Sequence, residues 1–432
     1  MSQANTVILI HPEKKVVSQK QKYLFLLSFS LALIFTGLFA SPLSETWAGM
    51  QRILLSPSHL ITDYIQLGNL GSAFLNSGLL TLFSVLMARL NKIQVTGPMV
   101  AAFLTVAGFS FFGKNFYNSI PIVIGVYCYS RIMKKPFAQY IFISLLGGAL
   151  SPVVSYITFG MNLSYITGIS IGCSTGILIG ILLPPLATHF LTLHQGFTLS
   201  NIGFTSGIVA MVLTSVLRLF NYEIINQTII SEDYHLFLGI FLFCLFMAML
   251  IWGFILNHGQ LRGLKQIYQT SGKLVTDFIA IAEMGPTLIN MALMGLLLSS
   301  YVLLIKGSFN GPVVGAILSV VGFSAFGNHL KNSLPVLLGV TLIVQFTPLH
   351  DLSQVTAITT AIFGISLAPI SGYYGMIYGV LAGIFHMALV TNVGLLHGGL
   401  NLYNNGFASG FVAAFMVPLL DNFTHIKKKK NK

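Results

Sequence analysis

Two Gly-Pro pairs, Gly97-Pro98 and Gly311-Pro312, stand 214 positions apart, each preceded by a residue able to cap a helix, Thr96 or Asn310. Proline has no amide hydrogen to lose in a first helical turn and its φ is preset, while Thr and Asn side chains accept from the free amides there. Each pair therefore reads as a helix start. A helix that starts inside a cavity offers unpaired N–H groups and a positive dipole end to a carboxylate or other anion. That makes Thr96, Gly97, Pro98, Asn310, Gly311 and Pro312 candidate substrate-binding residues. The short stretches before them, 93–96 and 307–310, matter here, because about five extended residues at ~3.3 Å each cover ~16 Å, enough to reach from a membrane face to its middle. The two starts would then point at each other. Alternatively both lie at the surface and open ordinary helices of sixteen residues, ~24 Å long.

Further polar residues recur in matched pairs. Asn118-Ser119-Ile120-Pro121 and Asn332-Ser333-Leu334-Pro335 mark a second pair of helix starts, whose amides could line a polar path or simply cap. Asn201, Asn404 and Asn405 stand in Asn-x-Gly-Phe stretches suited to an unwound turn, where backbone carbonyls meet a cation or solute. Acids within or beside apolar spans are costly and tend to be functional or paired. Asp63, its mate Asp277, and Glu283 are the candidates, read as ion-coupling or gating groups against the plainer role of interfacial caps. His194 and His397 are also mates and could titrate near neutral pH, or be satisfied interfacial histidines.

Something must position these groups, and the composition says what. Of 432 residues 55% are hydrophobic and 7% charged, against about 25% charged in a soluble domain, which excludes a water-soluble enzyme. The formal charge of +12 does not point to nucleic acid, because the basic residues flank apolar runs. Cys128, Cys173 and Cys244 sit far apart inside such runs, as small hydrophobes without metal-ligand spacing. No Walker A, GxSxG, HExxH or dinucleotide fingerprint occurs in a credible context, so no cofactor, metal or catalysis is expected.

About 20 mainly apolar residues cross a ~30 Å hydrocarbon core. Fourteen stretches qualify or nearly do: 23–40, 71–90, 97–113, 118–133, 137–157, 163–186 and 198–219, then 236–257, 284–305, 311–327, 333–348, 353–370, 374–393 and 404–421. The first is read as a retained span and not a cleaved signal, since its kind recurs. The fold class is thus an all-α polytopic membrane protein.

Laid against itself, the chain is duplicated. Residues 97–126 and 311–340 are identical in sixteen of thirty columns, the same shift aligns 49–76 with 263–290, and 194–210 matches 397–413 in ten of seventeen. Glycines at every fourth position, Gly168, Gly172, Gly176 and Gly180 with Gly375, Gly379 and Gly383 in the other half, read as helix-packing faces.

Counting Lys and Arg on alternate sides of fourteen spans gives eighteen against four, which puts both termini in the cytoplasm. The segments are then a basic tail over 1–22, a membrane repeat over 23–220, an external loop over 221–235 carrying Glu223, Glu232 and Asp233, a second repeat over 236–422, and a basic tail over 423–432. The halves are inverted, about seven segments each. Inverted halves give a pseudo-two-fold axis in the membrane plane, the geometry of alternating access.

The expectation is a secondary active transporter in a bacterial cytoplasmic membrane, carrying a small organic, anionic solute coupled to H+ or Na+. Its partners would be the lipid bilayer, the solute, the ion and, as an admissible assembly, a second copy in a homodimer. A passive channel for a small neutral solute, similar to urea channels, and a non-transporting assembly component are the alternatives.

The segments GFSAFGNHLKNSLPVLLGV and HGGLNLYNNGFASGFVAAF resemble a bacterial multi-pass membrane family, common in Gram-positive species, catalogued as a domain of unknown function. That resemblance covers nearly the whole chain and implies no substrate. The seven-plus-seven inverted plan, with an extended stretch before the third span of each half, is similar to nucleobase permeases and anion exchangers. The acidic substrate motif of those permeases is missing.

Overall fold

The computed structural model describes residues 17–222, 224, 228–348 and 351–430, with side chains to 423. Most of the N-terminal tail, Glu223, Lys432 and the side chains of Lys427, Lys428, Lys429 and Lys430 lie outside the described residues.

Among the described residues the regular secondary structure is all helical, and each of the fourteen apolar stretches carries a helix. These are α1 (Gln19–Ala40), α2 (Leu70–Leu90), α3 (Gly97–Phe109), α4 (Phe116–Ile132), α5 (Ile141–Gly160), α6 (Tyr165–His194) and α7 (Asn201–Leu219). The second set is α8 (His235–Leu256), α9 (Met284–Leu304), α10 (Gly311–Phe323), α11 (Leu330–Phe346), α12 (Val355–Tyr374), α13 (Met376–Leu396) and α14 (Asn404–Lys430). Ten of them are long and apolar enough to cross a membrane. Helix α1 starts at Gln19 behind a Ser18/Gln21 capping box, so Lys22 falls inside it and is buried.

Matching elements make matching contacts. Helix α1 packs on α2 as α8 packs on α9, α4 on α6 as α11 on α13, and α3 meets its mate α10 while α7 meets its mate α14. The repeat extends to single hydrogen bonds. Asn76 Nδ2 donates to the carbonyls of Ser110 and Lys114 at 2.7 and 2.9 Å, and Asn290 Nδ2 to those of Ser324 and Asn328 at 2.8 Å each.

Helices α3 and α10 are apolar on every side and almost wholly buried, as a helix with no polar face must be. At thirteen residues each is ~20 Å long. They lie side by side and antiparallel: a methyl at Gly108 would overlap the Gly315 carbonyl oxygen, and one at Gly322 would meet Ala101. Such close backbone approach is how helices gain dispersion contact where lipid gives no hydrophobic drive.

The glycine rows behave likewise. Gly176 faces Pro121 and Val154, Gly180 faces Gly125, and their mates Gly379 and Gly383 face Ser371 with Pro335, and Gly339. Gly375 differs. It joins two helices at φ 108°, and a methyl there would have nothing within 4 Å, so it is a turn and not a packing face.

Candidate functional site

The Gly-Pro starts sit at opposite ends of the α3–α10 pair, so they do not face each other as the sequence suggested. Each is met by a carboxylate from the other half. Asp277 Oδ1 accepts from the Gly97 amide at 2.9 Å, and Asp63 Oδ2 from the Gly311 amide at 3.1 Å. Thr96 and Asn310 cap the next free amides, at Met99 and Val313. With proline at the second position, the first turns are largely satisfied from within the protein.

The two carboxylates are not equally held. Asp63 is fully buried and uses both oxygens: Oδ1 takes Ile65 N at 2.8 Å, and Oδ2 takes Ser231 N at 3.1 Å besides Gly311. Asp277 is half-buried and gathers Gly97, Ile279 and Ala280 amides on Oδ1 alone.

Helices α5 and α12 are interrupted at matching places. A 3-10 turn at Gly148–Leu150 precedes Pro152, and one at Ile365–Leu367 precedes Pro369. Carbonyls freed by the breaks are taken by the other half: Leu402 N donates to Ala149 O, and Leu199 N to Ser366 O, both at 2.9 Å. The donors belong to buried non-helical stretches, 196–200 and 397–403, which precede α7 and α14. Non-helical backbone is tolerated at such depth only where its polar groups are paired or face a cavity. Helices α7 and α14 then cross at Gly203 and Gly406, repeat mates in backbone contact.

Beside this crossing, on the α3-start side, lies a cavity of about 280 Å³ bordered by Pro98, Phe142, Leu199, Ser200, Asn201 and Tyr403. Its wall is mainly apolar, with Ser200 and Asn201 as polar points. Tyr403 is the repeat mate of Ser200 and breaks the symmetry. Its ring borders the same cavity and packs on Phe109, Phe363 and Phe323 at 4.7, 6.0 and 6.3 Å, an aromatic cluster that Ser200 has no side chain to form.

The family model described as "Protein of unknown function (DUF1576)" matches residues 43–219 and 256–422, well over half of the chain and a stretch in each half. The chain belongs to that family. No curated protein and no solved structure matches it. The resemblance read from the two sequence segments is thereby borne out, and the DUF1576 match covers every residue of the site just described except Ser231.

Of the predicted site residues of this DUF1576 protein, Pro98 and Asn201 border the cavity. Asn118 and Asn332 are buried caps: each exchanges bonds with residue 115 or 329 and donates Nδ2 to Gly113 or Gly327. His194 and His397 pair with Asn201 and Asn404 at 2.9 and 2.8 Å, Nε2 donating to Oδ1, and Asn405 takes His386 at 3.1 Å. Glu283 sits apart from the cavity, at φ 72° before α9, with Oε2 buried and unpartnered.

Three features escaped the sequence reading. The breaks in α5 and α12 align at a shift of 217, different from the shifts that revealed the repeat. Tyr403 differs from its mate, so a search for shared residues passed over it. Lys114 looked like a loop lysine, yet it is 4% exposed, donates to the Leu145 carbonyl at 2.9 Å and packs its ammonium on Gly148 at the α5 break. Its mate is Asn328, buried and without a partner for either amide atom.

Proposed function

We propose that this protein is a secondary transporter working by alternating access, coupled to H+ or Na+, in a bacterial cytoplasmic membrane with both termini cytoplasmic. One observation carries the reading. Two halves with matching contacts stand in unmatched states: the carboxylate at the Gly97-Pro98 start is held through one oxygen and that at the Gly311-Pro312 start through two, and where the first half has Ser200 at the wall of an apolar cavity the second has Tyr403 in an aromatic cluster. An exchange of those states would move access from one face to the other. The antiparallel α3–α10 pair supports inverted halves. On this reading both helices, ~20 Å long against a ~30 Å core, would hold Asp63, Asp277 and Lys114 within hydrocarbon depth, where ionisable groups are costly and tend to be functional.

The solute we infer has an apolar body and a hydrogen-bonding end, matching the cavity wall and its Ser200 and Asn201. An anion held at the Gly-Pro starts would have to displace Asp63 or Asp277, so these two are read as coupling groups. The cavity ends against Tyr403, which favours a carrier over a passive channel.

Current recording on proteoliposomes fused to a supported membrane, screened against a solute library under imposed pH or Na+ gradients, tests this. A saturable current that follows the gradient is expected. Equilibrative flux without coupling would make the protein a channel, and no flux would remove both. Membrane-impermeant labelling of a Glu232→Cys variant checks the orientation: labelling from outside is expected, and labelling from the cytoplasmic side alone rejects the inverted arrangement.

A further inference from the structure

A second cavity, of about 380 Å³, opens at the start of α10, the end away from the first. It is bordered by Ser231, Glu232, Ser308, Asn310, Gln354 and Thr356, a strongly polar set in a chain this apolar.

Two of these residues hold buried polar atoms without partners. Asn310 is 1% exposed; its Oδ1 caps the Val313 amide, so the side-chain amide cannot turn over without losing the cap, and Nδ2 is a donor with nothing to donate to. Ser231, 3% exposed, has an Oγ with no partner. A buried donor without a partner forfeits its hydration and gains nothing in exchange, so such atoms mark places where a partner arrives from outside the fold.

The same cavity meets the first turn of the ten-residue helix Val355–Gly364, which no side chain caps. Asp351 is spent one turn earlier, on the Ser353 amide. Uncapped amides, a positive dipole end and the Asn310 donor suit a carboxylate. Glu232, which also borders the cavity, suits an ammonium.

We propose that this cavity is a binding site for a small zwitterion of the α-amino acid class, its carboxylate on the Val355–Gly364 helix start and Asn310 Nδ2, its ammonium on Glu232. The inference rests on the transport reading only for its purpose: the site would be the solute's docking place on the face opposite the first cavity, whose apolar wall would take the side chain.

The test is binding to the full chain in detergent, by calorimetry and thermal shift, with glycine, alanine, leucine, serine and glutamate as probes, beside N-acetylated and decarboxylated leucine. At least one free amino acid is expected to bind, with at least tenfold loss on N-acetylation or decarboxylation. Glu232→Gln and Asn310→Thr should each weaken binding at least tenfold. Thr at position 310 is what the first half carries at the matching place and still caps, so that variant should keep the wild-type unfolding temperature. Failure of all five amino acids to bind, or binding unchanged in both variants, overturns the inference. Amino-acid binding without uptake in proteoliposomes would leave this site standing and remove the transport reading, while uptake of a solute that ignores both variants would do the reverse.

Discussion

Asp277 accepts the Gly97 amide at 2.9 Å across 180 positions of sequence, and its mate Asp63 accepts the Gly311 amide across 248. Each half thus supplies the carboxylate that closes the other half's central helix. A helix start needs some acceptor, but a neighbouring Ser or Asn would serve; an acid from the opposite half makes the start depend on how the halves sit.

Asp63→Ala should therefore destabilise more than Asp277→Ala. Removing Asp63 leaves Ile65, Ser231 and Gly311 amides short of an acceptor in a buried place, at about 1–3 kcal/mol for a buried unpaired group. Removing Asp277 acts at a half-buried place where water can substitute, nearer the ~1 kcal/mol of a lost cap. Unfolding temperatures in detergent decide it, and a lower value for Asp277→Ala would reverse the ranking of the two carboxylates.

Exchanging the residues that break the symmetry probes the access reading. Ser200→Tyr should fill the cavity beside Pro98 and abolish uptake with little loss of stability. Tyr403→Ser should empty the aromatic pocket among Phe109, Phe323 and Phe363, costing about 3–5 kcal/mol by analogy with buried aromatic truncations. It should also make Phe112→Cys, at a position whose ring lies 5.5 Å from that of Phe109, reactive to a soluble thiol reagent. An unreactive cysteine there would mean that Tyr403 is ordinary packing.

Lys114 invites a separation of stability from function. Removing a lone buried ammonium removes a desolvation penalty of roughly several kcal/mol, against about 1–3 kcal/mol for the Leu145 carbonyl left unpaired. Lys114→Met should unfold no earlier than wild type and should lose gradient-dependent uptake. Retained coupling would make the lysine a structural donor to the break in α5 and nothing more.

How much of this was written in the sequence follows from what each signal depends on. Span positions and the Gly-Pro helix starts depend on local hydropathy and capping, so all fourteen helices and the caps at Thr96 and Asn310 were legible. The acids Asp63 and Asp277 stood out as costly, but their partners did not, because a bond from one half to the other is a tertiary fact that no spacing encodes. The breaks at Gly148 and Ile365 were hidden by the shift of 217 and by sequences that differ between the halves, while Tyr403 and Lys114 act through being unlike their mates. Duplication reveals what two halves share; a cavity on one side of the axis is made from what they do not.

Two glycines offer the sharpest check on the central packing. A methyl at Gly108 would strike the backbone carbonyl of Gly315, which cannot rotate away as a side chain can, so Gly108→Ala must push α3 and α10 apart. That should cost about 1–3 kcal/mol, the range for overpacking a close contact, and should loosen the grip of Asp63 and Asp277 on the far ends of the same pair. Gly394→Ala is the control: on α13 its nearest neighbours are the Asn404 side-chain atoms at 3.8 and 3.9 Å, so the methyl fits and the gain in helix propensity, about 1 kcal/mol or less, should dominate. Thermal unfolding of both variants in one detergent should thus move in opposite directions. A harmless Gly108→Ala would show that the two central helices do not depend on backbone contact, and the coupling between their ends would lose its physical basis.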